Sequence, residues 1–240
     1  MTLSLKLSLT LFCTMLIGTQ AVFAPTNTAA LKAAVGTCTY AGACTGGCLG
    51  ETADGSCPFF AASNDATGNQ YGVIGDWDTS QVMDMARMFY GAIAFNQPLT
   101  HWVTSKVTDM EGMFRNAIAF NQPLTFDTSK VMDMREMFWR ASSFNQPLTF
   151  NTSQVTNMGS MFQDATSFNQ PLPFDTEQVT TMERMFLGAI AFNQPLSWGA
   201  PACPAGELRV YDGADCTVPV ELTCAELKAE YQSSSRDCGC

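Results

Sequence analysis

The stretch VMDMREMFWRASSFNQPLTF, residues 131–150, decides the fold. It is one copy of a recurring unit. FNQPL begins at Phe95, Phe120, Phe144, Phe168 and Phe192, at intervals of 25, 24, 24 and 24 residues. Upstream of these, Val82, Val107, Val131, Val155 and Val179 each open the pattern V-x-x-M-x-x-M-F-x-x-A, and all five copies keep all five residue types. Self-similarity at such a period is the mark of stacked supersecondary units, none of which can bury its apolar face alone.

The offsets 0, 3, 6, 7 and 10 of that pattern fall within an arc of about 120° when wound at about 100° per residue, the stripe of an amphipathic helix. Asp78, Asp127, Asn151 and Asp175 precede the copies as N-cap residue types. Asp84, Asp109 and Asp133 follow in what would be the first turn, where they suit the helix dipole. Leu124-Thr125-Phe126, Leu148-Thr149-Phe150 and Leu172-Pro173-Phe174 alternate in-out-in as a short strand does. The preceding proline lacks a donor, so the strand starts at or just after it. The expected fold is therefore an α/β repeat solenoid with one short parallel strand and one short helix per coil and disulfide-rich terminal caps. Strands pack closer than helices, which puts the strands on the concave side. Asn121, Gln122 and their equivalents are placed to hydrogen-bond the turn of the next coil and form amide ladders up the stack. Ten of the chain's 14 methionines lie on the apolar stripe, a spacing that matches core packing rather than a thioether metal site.

The ends differ from the middle. Lys6 precedes the apolar run LSLTLFCTMLIG and then the small residues of TQAVFA, the pattern of a secretory signal peptide over residues 1–21. Cleavage is expected after Ala21, with Ala24 the alternative. The remaining cysteines cluster as Cys38, Cys44, Cys48 and Cys57, then Cys203, Cys216, Cys224, Cys238 and Cys240, as expected of disulfide-braced caps over 22–70 and 200–240 flanking a solenoid over 71–199. Four cysteines allow three pairings and the sequence does not choose. The second cluster is odd, leaving one thiol free, crossed to the first cluster, or available for a disulfide-linked dimer. A net charge of −10 disfavours nucleic acid and anionic membrane surfaces. No later stretch is apolar enough to insert into a bilayer once the leader is removed.

Catalytic constellations are not evident. His101 is the sole histidine, no G-x-S-x-G surrounds a serine, and no phosphate-cradling glycine loop appears. A non-enzymatic chain with no cofactor and no metal is expected. The outward strand positions Thr100, Thr125 and Thr149, with His101, make the candidate contact face for an extracellular protein or glycan. LTHWVTSKV (99–107) carries one residue more than LTFDTSKV (124–131), placing His101 and Trp102 at an expected bulge. Asn151-Thr152-Ser153 is a glycosylation sequon. Structural spacer and lattice (ice or mineral) binding are the alternative functions.

The frame M-F-x-x-A-S-S-F-N-Q-P-L-T-F-D-T-S-x-V-x-x-M resembles the repeat of BspA-type leucine-rich-repeat surface proteins over roughly residues 71–199. YGVIGDWDTSQV at 71–82 resembles that family's first coil. The resemblance implies a leucine-rich-repeat-like solenoid, a secreted or surface location and, for some members, adhesion. It supplies no catalytic residues.

Overall fold

The computed structural model describes residues 22–52, 54–57, 61–63, 70–194 and 196. The expected leader (1–21), the segment 200–240 and the cysteines at 203, 216, 224, 238 and 240 lie outside the described residues. The chain opens with α1 (Thr28–Val35), an alanine-rich helix whose N-cap, Asn27, accepts the Ala30 N–H at 2.9 Å. Leu31, Ala34 and Val35 form its buried stripe, and Gly36, at φ 91°, ends it. A hairpin follows, β1 (Thr37–Cys38) antiparallel to β2 (Cys44–Thr45), and then α2 (Gly47–Glu51). The disulfides are Cys38–Cys44 and Cys48–Cys57, the pairing that the sequence left open. This segment sits on the first repeat: the Thr28 hydroxyl donates to the Asp84 carbonyl at 3.0 Å, and the Phe23 ring packs on Tyr71 and Trp77 at 4.6 and 5.1 Å.

The repeats are built differently from the expectation. Among the described residues from 78 to 194 there is neither an α-helix nor a strand, only turns and isolated parallel bridges joining Asp84, Asp109, Asp133, Asn157 and Thr181 in series. The V-x-x-M-x-x-M-F segment is a run of tight turns. Met137, Trp139 and Ala141 each donate their N–H three residues back, to Met134, Glu136 and Phe138. The alternate N–H groups, of Met134, Glu136, Phe138 and Arg140, cross instead to Asn157, Gly159, Met161 and Gln163 of the next repeat at 2.8–3.0 Å. The same four crossings recur at all four junctions between repeats. Such an arrangement needs positive φ at every fourth residue, and has it: Arg87 and Gly91, Gly112 and Asn116, Glu136 and Arg140, Ser160 and Asp164, Arg184 and Gly188 lie at φ 55–73°. That sign at the third position of a turn is the type II requirement. It is also incompatible with a helix.

The physical reason for the miss is that apolar residues three apart suit a chain of tight turns as well as a helix. The polar residues taken as caps therefore have another role. Asp78, Asp127, Asn151 and Asp175 accept the N–H two residues on at 2.9–3.1 Å, as do Asp84, Asp109, Asp133 and Asn157 at 2.7–3.0 Å. These are Asx turns, not helix N-caps. The extra residue near His101 closes a turn from the Leu99 carbonyl to the Trp102 N–H rather than a strand bulge. With no helix against a strand, the basis for a strand-lined concave side falls away.

Burial follows the pattern closely. Every Val, Met, Met, Phe and Ala of the five V-x-x-M-x-x-M-F-x-x-A copies is buried, as is every FNQPL phenylalanine. The rings form two columns. Phe89, Phe114, Phe138, Phe162 and Phe186 stack at 5.4–5.7 Å, and Phe95, Phe120, Phe144, Phe168 and Phe192 at 5.8–6.0 Å. Within a repeat the two rings stand 4.1–4.2 Å apart and nearly parallel. Each such pair adds about 0.5–1.5 kcal/mol beyond area burial.

On the FNQPL side, where no backbone ladder runs, side chains join the repeats. Asn145 Oδ1 accepts both the Asn169 backbone N–H at 2.9 Å and Gln170 Nε2 at 3.1 Å. Asn96, Asn121 and Asn169 do the same for their successors. A second rank is buried: Thr79, Thr104, Thr128 and Thr152 donate to Val103, Asp127, Asn151 and Asp175 carbonyls at 2.8–3.0 Å. FNQPL is thus a core ring, an acceptor, a donor to the acceptor below, an exposed proline and a second core residue. Asn145→Ala strands the Asn169 N–H and leaves Gln170 Nε2 only the Asn145 backbone carbonyl at 3.2 Å, and should destabilise the fold by roughly 1–3 kcal/mol in chemical denaturation. An unchanged midpoint would contradict the ladder's role.

Candidate binding surface

The residues singled out for contact lie on the surface. Thr100, Thr125 and Thr149 are exposed; Thr125 and Thr149 stand between a buried leucine and a buried phenylalanine, and Thr100 between buried Leu99 and exposed His101. His101 is exposed, with Nδ1 3.1 Å from Asp76 Oδ1. Trp102 beside it is buried, its Nε1 donating to the Ile74 carbonyl at 2.7 Å. Asn151 is exposed, and its Oδ1 accepts both the N–H and the hydroxyl of Ser153. The face is chemically uniform, repeating a hydroxyl at each step until Pro173.

A second surface was missed. Four offsets vary most strongly among the five copies: Ala86, Glu111, Arg135, Gly159, Glu183; Arg87, Gly112, Glu136, Ser160, Arg184; Tyr90, Arg115, Trp139, Gln163, Leu187; and Gly91, Asn116, Arg140, Asp164, Gly188. All belong to the turn segment, so the variation gathers on the side where backbone crossings hold the repeats. Comparing the copies within the sequence would have found it, but the helix reading dispersed these positions. Here Glu111 Oε1 takes Arg87 and Arg135 at 2.7 and 2.8 Å, linking three successive repeats. Arg115 pairs with Glu136. Its guanidinium lies 3.9 Å from the Trp139 ring centre and 5.5 Å from that of Tyr90.

These environments move the carboxyl pKa values in opposite senses. Burial pushes Glu111 upward, but the Arg87 hydrogen bond and the Arg135 and Arg87 charges outweigh it, leaving Glu111 below the ordinary 4.5. Asp109 is raised above 3.8 by burial, opposed by the Glu111 N–H and reinforced by the charges of Asp133 and Asp84.

The Cys38–Cys44 hairpin folds over this variable side. The Tyr40 carbonyl accepts Asn116 Nδ2 at 2.6 Å, and the Arg140 guanidinium stands 5.4 Å from the Tyr40 ring centre. Gly91 is required beneath it, because a Cβ there would lie 2.1 Å from the Thr39 carbonyl oxygen. A cleft of about 440 Å³ remains between hairpin and repeats. Among the described residues no group of three or more His, Cys, Asp or Glu side chains could hold a metal ion, and no helix is long and apolar enough to cross a membrane.

The family described as "Mycoplasma protein of unknown function, DUF285" matches residues 59–125 and 124–202, together more than half of the chain. The chain belongs to the DUF285 family. The first DUF285 match takes in the Val82 and Val107 copies, and the second those of Val131, Val155 and Val179. No curated protein and no solved structure matches the chain.

Two substitutions test the electrostatics of the DUF285 repeats. Asp109→Asn keeps the Asx turn, as Asn157 does naturally, and removes a desolvated charge from a like-charged column. Since the folded pKa is raised, the ionised carboxylate weakens the fold at neutral pH, and the wild type regains stability as pH falls through that pKa. The variant should melt higher at pH 7, by up to about 1 kcal/mol, with the gain vanishing in acid. Glu111→Gln should act oppositely. The lowered pKa contributes stability that is present above 4.5 and lost as pH falls through the folded value. The variant should lose on the order of 1 kcal/mol at pH 7, with the difference closing in acid. Melting curves across pH 3–7 check both.

Proposed function

We propose that this DUF285 chain is a secreted or cell-surface repeat solenoid of the BspA-type leucine-rich-repeat class. In this reading it binds an extracellular protein or glycan through Thr100, His101, Thr125 and Thr149 without catalysis. The observation that carries the reading is the open threonine rank, held at repeat intervals beside the asparagine and glutamine ladder that joins one FNQPL to the next. A preorganised surface loses little entropy on binding. The variable side, by contrast, is largely self-paired and overlain by the hairpin. Export accords with two disulfides in the N-terminal segment. The packing of Phe23 on Trp77 favours leader cleavage after Ala21, because cleavage after Ala24 would remove that ring.

A second reading, a structural spacer joined into disulfide-linked dimers, draws on the cysteine count. Cys38, Cys44, Cys48 and Cys57 close on one another, so the odd thiol falls to the five cysteines from Cys203 onward. Non-reducing electrophoresis separates the two, since a reductant-sensitive dimer belongs to the spacer. The binding reading is tested by pull-down from extracellular material with the wild type and a Thr100→Glu/Thr125→Glu/Thr149→Glu variant. These positions are exposed, so the variant should fold and lose the captured partner. Equal capture by both would overturn the threonine face as the contact.

A further inference from the structure

The cleft beneath the hairpin is lined by cations although the chain as a whole is acidic. The chain carries 22 Asp and Glu against 12 Lys and Arg, yet the charged residues lining the cleft are Lys32, Arg87 and Arg115, all cationic. Their carboxylate partners are not in the lining. Asp84 lies 3.8 Å from Lys32 Nζ, and Glu111 and Glu136 engage Arg87 and Arg115. The volume of about 440 Å³ falls at the small-ligand end of binding cavities.

We propose that this cleft binds a small anionic saccharide, a sugar bearing a carboxylate or a sulfate. Arg87 is more than half exposed, and Glu111 engages one nitrogen of a guanidinium that carries five donors. Lys32 supplies a compact ammonium from the last turn of α1. The Arg115 guanidinium lies over the Trp139 and Tyr90 rings, 3.9 and 5.5 Å from their centres. An anion seated against these three groups gains charge-assisted hydrogen bonds. Tyr90 and the exposed Thr37 add an aromatic side chain and a polar rim to the lining, groups suited to a sugar. The Cys38–Cys44 disulfide closes the hairpin on itself, and the Asn116 hydrogen bond to the Tyr40 carbonyl holds it on the repeats. The site shares no residue with the threonine face, so either reading can fail without the other.

The test is a titration of the whole chain, followed by amide NMR shifts at Gly36, Thr37 and Ala86, with glucuronate, glucose 6-sulfate, glucose and inorganic sulfate. Glucuronate and glucose 6-sulfate should shift those amides and bind at least about tenfold tighter than glucose or inorganic sulfate, weakening as salt is added. Lys32→Gln and Arg87→Gln should each weaken the charged sugars by about tenfold while leaving the melting curve within a few degrees of wild type. Lys32 is partly exposed on a short helix, so its variant reads the site even if Arg87→Gln disturbs the neighbouring repeat. No shifts with either charged sugar, inorganic sulfate binding as tightly as they do, or Lys32→Gln binding them like the wild type would each overturn the proposal.

Discussion

The hydrogen bond from an alternate backbone N–H of one repeat to a carbonyl of the next is the constraint on which the rest depends. Phe138 to Met161 is one such bond at 2.9 Å. It requires a backbone that turns back on itself every few residues. That backbone in turn requires positive φ at Glu136 and Arg140 and at their equivalents. Left-handed conformations of non-glycine residues cost on the order of 1–2 kcal/mol each. The compensation is that the N–H groups from Met134 to Ala141 all find acceptors, alternately across the stack and back along the chain. The ring columns then follow, because residues at fixed offsets superimpose from one repeat to the next.

Much of this was legible in the residues. The period, the buried Val, Met, Phe and Ala positions, the in-out alternation of Leu124, Thr125 and Phe126, and the Asn–Gln ladder could be read from pattern and side-chain chemistry. The backbone of the turn segment could not be read from apolar spacing, which fits a helix equally. The available signal was chemical. Gly91, Gly112, Asn116 and Gly188 occupy left-handed positions, and glycine and asparagine are the residues that favour them. Arg87, Glu136 and Arg140 hide the signal because tertiary hydrogen bonds override their preference. The disulfide pairing was illegible for a different reason: it depends on where α1 and the hairpin settle on the first repeat.

The division between invariant and variable positions has a functional consequence. Invariant residues make the core and ladders, so their fidelity reports packing. Variation collects on the turn side, where Arg87, Glu111, Arg115, Arg135 and Glu136 neutralise one another across repeats and the Tyr40 hairpin lies over them. The threonine side is uniform and open. One chain thus presents a repetitive polar face and, at its N-terminal end, a cleft between hairpin and turns lined by Lys32, Arg87 and Arg115.

Through-hydrogen-bond scalar coupling between amide nitrogen and carbonyl carbon tests the central claim most directly. The account predicts a correlation from Phe138 nitrogen to the Met161 carbonyl, with Phe114 to Met137 and Phe162 to Met185 alongside. A correlation from Phe138 to the carbonyl of Met134, four residues back as in an α-helix, with none across repeats, would contradict it.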